Sequence, residues 1–364
     1  MHSLARYFAR ATVLAACPIV AYCFAQPAPP DKALDLLRQR AEAGYVKQQI
    51  ELAAAYLTGR GVPQDNALAA HWYERAAQGG NPEAANEIGY FYQQGIGVPV
   101  DQARAVHWFQ LSSASGFIMA KLNLGINYLR GLGVPPNPST AARLFHEAVD
   151  KGFGLGATYL GDMDFFGMGV PLDKASAERW FEVGAKLHDP ESAYNLACLY
   201  SDTHDHAHDF PRAAGLLRAS SNKGYVPAKH ALGRLLLNHP DLAESDREAP
   251  LLLETASTAG YWRSTVLLAV MVRDGNHAAA DPTQAFYNFH LAALQGGPVA
   301  ERLVGPDLSA LARKLSPDEQ SSIAARAQAW FQQHSQPATF VLKESETDRN
   351  FPLLALSAPP SAVQ

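Results

Sequence analysis

Glycine recurs in this chain every 36 residues: Gly44, Gly80, Gly116 and Gly152, then, after His188 takes one place in the count, Gly224, Gly260 and Gly296. Two further columns keep the same step. One runs Tyr56, Tyr92, Tyr128, Asp164, Tyr200, Leu236 and Val272, the other Trp72, Trp108, Leu144, Trp180, Leu216, Leu252 and Asn288. A period of this length marks a small unit that cannot bury its own apolar face and gains stability by stacking on its neighbours. Seven such units fit between Tyr45 and Gly296.

Each unit decodes as two helices. In the second, Ala84, Ile88, Gly89 and Tyr92 fall on one face at helical spacing. Gly95-Ile96-Gly97-Val98 then interrupts the chain, since glycine tolerates the positive φ of a tight connection. Asp101 is placed to cap the next helix, whose face carries Ala105, Trp108 and Ser112 and which Gly116 ends. Tyr92 and Trp108 are expected to fill the gaps that the small residues Gly89 and Ala105 leave. Units one, three and four carry matching turns, Gly59-Arg60-Gly61-Val62, Gly131-Leu132-Gly133-Val134 and Gly167-Met168-Gly169-Val170. Units five to seven keep the length and lose the pattern, at Thr203 to His206, His239 to Asp241 and Gly275 to His277. Leu34 to Gly44 reads as a lone capping helix, and Ser316-Pro317-Asp318-Glu319 as a capping box opening a final one.

These columns and glycine turns resemble the Sel-one-like repeat (SLR) family, a relative of the tetratricopeptide repeats, over roughly Asp31 to Val304. The resemblance implies an all-α fold, a right-handed α/α superhelical solenoid of tandem 36-residue helix-pair repeats. It divides the chain into a solenoid at 31–334 (helix cap 31–44, repeats about 45–296, C-terminal cap 297–334) and a tail at 335–364. The tail is rich in Ser, Pro and Ala and reads as disordered. The resemblance also implies a non-enzymatic scaffold or adaptor that takes protein or peptide on its concave face, lined by first helices. Carried over unit by unit, the groove positions are Asn86, Tyr90 and Gln93; Leu122, Ile126, Leu129 and Arg130; Asp162, Phe165 and Phe166; and Tyr194, Cys198 and Asp202. An apolar centre flanked by Asn, Asp and Arg suits an extended peptide or a helix. The alternative partner is cell-wall peptidoglycan or another polysaccharide, with Tyr90, Phe166 and Tyr194 stacking on sugars.

Residues 1–25 read as an export signal: Arg6 and Arg10, an apolar stretch from Ala11 to Tyr22, and cleavage after Ala25, followed by a proline-rich spacer at 26–30. The apolar run falls short of the roughly 20 residues a membrane span needs. A rival cleavage box, Leu14-Ala15-Ala16-Cys17, would give a lipoprotein anchored at Cys17. Either way the chain is expected in the periplasm or outside the cell, with no transmembrane span after cleavage. Cleavage after Ala25 removes Cys17 and Cys23 and leaves Cys198, so in that form no intrachain disulfide is expected.

Catalytic patterns are missing. There is no GxSxG elbow, HExxH, phosphate-binding loop or paired CxxC. The β-lactam-hydrolysing branch of the resembling family carries a cysteine pair in each repeat, which this chain lacks, so such hydrolysis is the weakest reading. A formal charge of −5, from 30 basic and 35 acidic residues, argues against nucleic acid. No cofactor is expected. His204, His206 and His208 with Asp205 and Asp209 have the donors for a metal, but in consecutive loop positions that seldom hold an ion rigidly. Asp164 stands where neighbouring units have a core tyrosine, and is expected to reach solvent or to accept a hydrogen bond from Tyr128 or Tyr200.

Overall fold

The computed structural model describes residues 31–202, 208–276 and 279–334. The predicted signal and spacer, the tail, and His204 and His206 lie outside them. Among the described residues there are sixteen α-helices and no strand. A leading helix α1 (Asp31–Glu42) is followed by first helices α2 (Val46–Thr58), α4 (Pro82–Gln94), α6 (Ile118–Arg130), α8 (Gly154–Phe166), α10 (Pro190–Tyr200), α12 (Val226–Asn238) and α14 (Trp262–Asp274). They alternate with second helices α3 (Asn66–Gln78), α5 (Gln102–Ala114), α7 (Pro138–Asp150), α9 (Lys174–Lys186), α11 (Phe210–Asn222), α13 (Glu248–Thr258) and α15 (Pro282–Ala312), and α16 (Pro317–His334) follows. Every first helix begins 36 residues after the last. The described chain divides into two compact units, 31–187 and 188–334.

In the first unit, the second to fourth helix pairs close on a glycine, and the first has Ala53 in that column. A Cβ at Gly125 would lie 2.5 Å from the Phe145 ring, and one at Gly161 2.5 Å from Phe181. The partners form a column of Tyr73, Phe109, Phe145 and Phe181, each fully buried. This corrects the expected packing. The aromatic facing each glycine is the residue after the Trp column, and Trp72 and Trp108 keep a slight exposure beside it. Small residues on one helix and large ones on the other let the axes approach without a void.

The turns do the stacking. Gly59, Gly95, Gly131 and Gly167 are left-handed C-caps, and the second turn glycines also have positive φ. Gly97 and Gly133 seat on the preceding repeat, where an added Cβ would lie 2.0 Å from the Asn66 carbonyl oxygen and 2.1 Å from that of Gln102. Asp65, Asp101, Asn137 and Asp173 then cap the second helices, each accepting a hydrogen bond from a backbone N–H three residues on.

The second unit keeps the helices and changes the links. Its pairs pack in sequence from α10 to α16. Leu217, Leu253 and Phe289 continue the buried column, and a Cβ at Gly233 would meet Leu253 at 2.8 Å. Asp209 caps α11, and Gly275 remains a left-handed C-cap on α14. Between α12 and α13 a short 3-10 turn, Pro240–Leu242, replaces the glycine turn. Arg218 clamps it, donating to both oxygens of Glu248 at 2.9 and 3.0 Å and to the Leu242 carbonyl at 2.6 Å. Arg218→Ala should cost about 1–2 kcal/mol, since it strands a half-buried carboxylate and a loop carbonyl. A urea titration of the variant checks this, and an unmoved midpoint would show the clamp to be idle.

His188 holds the glycine position of its column with φ 62°, the sole positive φ among described non-glycine residues. A left-handed backbone costs an L-residue about 1–2 kcal/mol, partly returned by the lower entropy cost of folding relative to glycine. His188→Gly should therefore raise stability by about 0.5–1 kcal/mol, read as a higher urea midpoint; a lower one would count against the strain.

The end of the array is marked by a break inside α15. Gly297 leaves helical geometry at φ 57°, ψ −148°, next to Gly296, whose missing Cβ makes room for the Trp262 ring. Residues 298–312 continue as helix, which the sequence pattern had not indicated. The capping box of α16 is reciprocal: the Glu319 carboxylate accepts from the backbone N–H and hydroxyl of Ser316, and Ser316 Oγ accepts from the Glu319 N–H.

Candidate functional site

The first-helix face of the first unit carries ten of the residues read as groove positions, and the structure sorts them. Asn86, Gln93, Leu122, Ile126, Leu129 and Asp162 are all buried, with Asp162 fully so. As groove contacts these six are corrected. Leu122, Ile126 and Leu129 join a core cluster with Phe145, Tyr159 and Met163, and Asn86 and Gln93 bond to the next first helix. Two hydrogen bonds between side-chain amides span α4 and α6: Asn123 Nδ2 donates to Asn86 Oδ1 and Gln93 Nε2 to Asn127 Oδ1, both at 2.9 Å. Tyr90, Arg130, Phe165 and Phe166 keep part of their surface. The Phe165 and Phe166 rings meet edge to face at 4.9 Å. Burial, and then the nearby Glu87 carboxylate, push the Tyr90 phenol above its usual pKa, so it presents a neutral hydroxyl.

The tyrosine column is a second-helix contact as well. Tyr92 donates to Glu74 at 3.3 Å, and Arg104 bonds Glu74 at 2.6 Å while lying 4.0 Å over the Tyr92 ring. Asp164 in the same column is half-buried.

In the second unit, Tyr194, Cys198 and Asp202 are half-buried. The Tyr194 ring meets Tyr225 edge to face at 5.4 Å. Next along the same face, and missed by the sequence reading, is His230. It is buried in α12 with Nδ1 2.9 Å from Ser264 Oγ on α14. Burial above all, then the positive charges of Arg234 and Arg263, hold its pKa down at about 3. The signal was available: His230 lies 36 residues after Tyr194, in the column of Asn86 and Leu122.

Among the described residues no three His, Cys, Asp or Glu side chains converge to hold a metal, and no helix is long and apolar enough to cross a membrane. His204, His206 and Asp205 stand outside those residues.

Fold and face together define a helix-pair repeat protein of the α-solenoid class. The Sel1 repeat model matches residues 49–81, 82–117, 118–153, 155–189, 190–225 and 263–297, so the chain belongs to the Sel1-repeat family. The stretch passed over holds the sixth helix pair, α12 and α13, with its 3-10 turn, so seven pairs stand where six match. Repeats of this family generally form a non-catalytic scaffold that mediates protein–protein interaction. Among solved structures, a Sel1 repeat protein from Oxalobacter formigenes is 23% identical, with a TM-score of 0.54, over 60% of this chain and 89% of that one. A protective antigen of uropathogenic Escherichia coli with an SLR fold is 21% identical over 90% of this chain and 75% of that one, at a TM-score of 0.43. No curated protein matches the chain.

Proposed function

We propose that the chain is an exported scaffold or adaptor that binds a protein partner on the first-helix face of its first unit, through Tyr90, Arg130, Phe165 and Phe166. The observation that carries this is the sorting by burial. Two phenylalanines, a tyrosine and an arginine stay accessible on a face whose other predicted positions are locked into repeat packing. Aromatic side chains and arginine are the types that dominate binding energy at protein interfaces. Arg6, Arg10 and the apolar stretch that follows support export, and put the partner in the envelope or outside it.

The test is recovery of partners from envelope extract by wild type and by an Arg130→Glu/Phe166→Glu variant with unchanged helical circular dichroism. The proposal expects a protein held by wild type and lost by the variant. Identical recoveries would sink it. Retention on purified sacculi, reduced by the same substitutions, would favour the polysaccharide reading instead. Mass spectrometry of the mature chain is expected to find Gln26 at the N-terminus, and a lipidated Cys17 would replace the soluble form with an anchored one.

A further inference from the structure

The junction between the second and third repeats is polar where the next one is apolar. In the first-helix layer, Asn86 and Gln93 of α4 meet Asn123 and Asn127 of α6 through the two side-chain amide hydrogen bonds. Thirty-six residues on, the same four columns hold Leu122, Leu129, Tyr159 and Met163, which lie in one core cluster across α6 and α8. Ile88 and Phe91 of α4 belong to a different cluster from Leu122 and Ile126 of α6, while Leu124 of α6 and Leu144 of α7 tie the third repeat to the second. Parting an apolar junction exposes surface that water rejects, whereas a seam of amides exchanges its hydrogen bonds for bonds to water at little net loss. The first-helix layer therefore parts more readily between α4 and α6 than between α6 and α8.

The seam also leaves hydrogen-bonding capacity unused. Gln93 is 6% exposed and Asn127 0%, yet Gln93 Oε1 and Asn127 Nδ2 are buried without a hydrogen-bond partner. Turning both amides over would reverse their mutual bond and again leave one acceptor and one donor. An uncharged acceptor beside an uncharged donor is complementary to a peptide group, which carries one N–H and one C=O. The pair lies at the face that keeps Tyr90 and Arg130 accessible. Gln93 is one turn beyond Tyr90 on α4, and Asn127 is one turn before Arg130 on α6.

We propose that the seam between α4 and α6 opens on the first-helix side and admits an extended segment of the protein partner. The partner's main chain donates an N–H to Gln93 Oε1 and accepts at a C=O from Asn127 Nδ2, with Tyr90 and Arg130 on either side. This rests on the partner reading for the first unit and names what that partner presents there, a peptide backbone and not a charged side chain.

Two variants of the full chain test it, each read by recovery of the partner that wild type holds from envelope extract. Gln93→Leu/Asn127→Met installs the residue types that Leu129 and Met163 already place in those columns. With helical circular dichroism unchanged, its recovery should fall at least about tenfold, as two lost hydrogen bonds imply. Asn86→Cys/Asn123→Cys leaves that pair intact and allows a disulfide to hold the seam shut. Its oxidised form should lose the partner to a similar degree and its reduced form regain it. Undiminished recovery by Gln93→Leu/Asn127→Met, or by the disulfide-closed form, would overturn the proposal. If Arg130→Glu/Phe166→Glu still loses the partner, the reading of the first-unit face stands without the seam.

Discussion

Gly133→Ala is expected to destabilise the first unit by about 3–5 kcal/mol, while Gly152→Ala costs only about 1–2 kcal/mol. Both glycines have positive φ, 71° and 82°, so both substitutions carry the left-handed backbone cost. They differ in what the new Cβ meets. At Gly133 it would lie 2.1 Å from the Gln102 carbonyl oxygen and 2.9 Å from the Ala103 nitrogen, backbone atoms at the start of the preceding repeat's second helix. Those atoms cannot swing aside as a side chain can, so the turn must lift off its neighbour and overpacking is added to strain. At Gly152 nothing lies within 4 Å. Urea denaturation followed by tryptophan fluorescence gives both values. Equal losses would mean that the turns do not seat the repeats on one another.

The second large effect is acid lability of the second unit. His230 titrates near its ordinary pKa of about 6.5 in the unfolded chain and at about 3 in the fold. Below pH 6.5 the unfolded state takes up a proton that the folded state refuses, so stability is full above that pH and falls as the pH drops toward 3. The slope approaches 1.4 kcal/mol per pH unit, giving a loss of about 2 kcal/mol between pH 7 and pH 5. His290, held low by burial, acts in the same direction. Glu147, Glu248 and Asp274 have lowered pKa values through their Lys and Arg partners, so their contributions fade as the pH falls from the ordinary carboxylate range downward. In the second unit the interval from pH 7 to 5 therefore reports on the histidines, while Glu83 in the first unit, raised by burial, acts in the opposite direction. His230→Asn should flatten most of the dependence there, and an unchanged slope would show that His230 is not the group responsible.

Most of the fold was legible because the repeat writes its local rules several times over. Turn glycines, Asp caps and the capping box at Ser316 each rest on a few adjacent residues and appear where the spacing places them. The Sel1 family match rests on the same columns. What escaped depends on contacts between repeats. Phe109 was passed over for Trp108 because one helix's periodicity does not say which of two adjacent aromatics meets a partner's glycine. Likewise, Leu122, Ile126 and Asp162 share a helix face with Tyr90 and Phe166, and only the neighbouring first helix decides which are covered. The Arg218 clamp joins residues 30 apart in a link with no repeat pattern.

The binding face is tested most directly by the hydrogen-exchange footprint of a partner captured from envelope extract on the full chain. Binding at Tyr90, Arg130, Phe165 and Phe166 predicts slowed exchange in α4, α6 and α8, with α5, α7 and α9 unchanged. Slowing confined to the second helices would place the partner on the opposite face and contradict the proposed site.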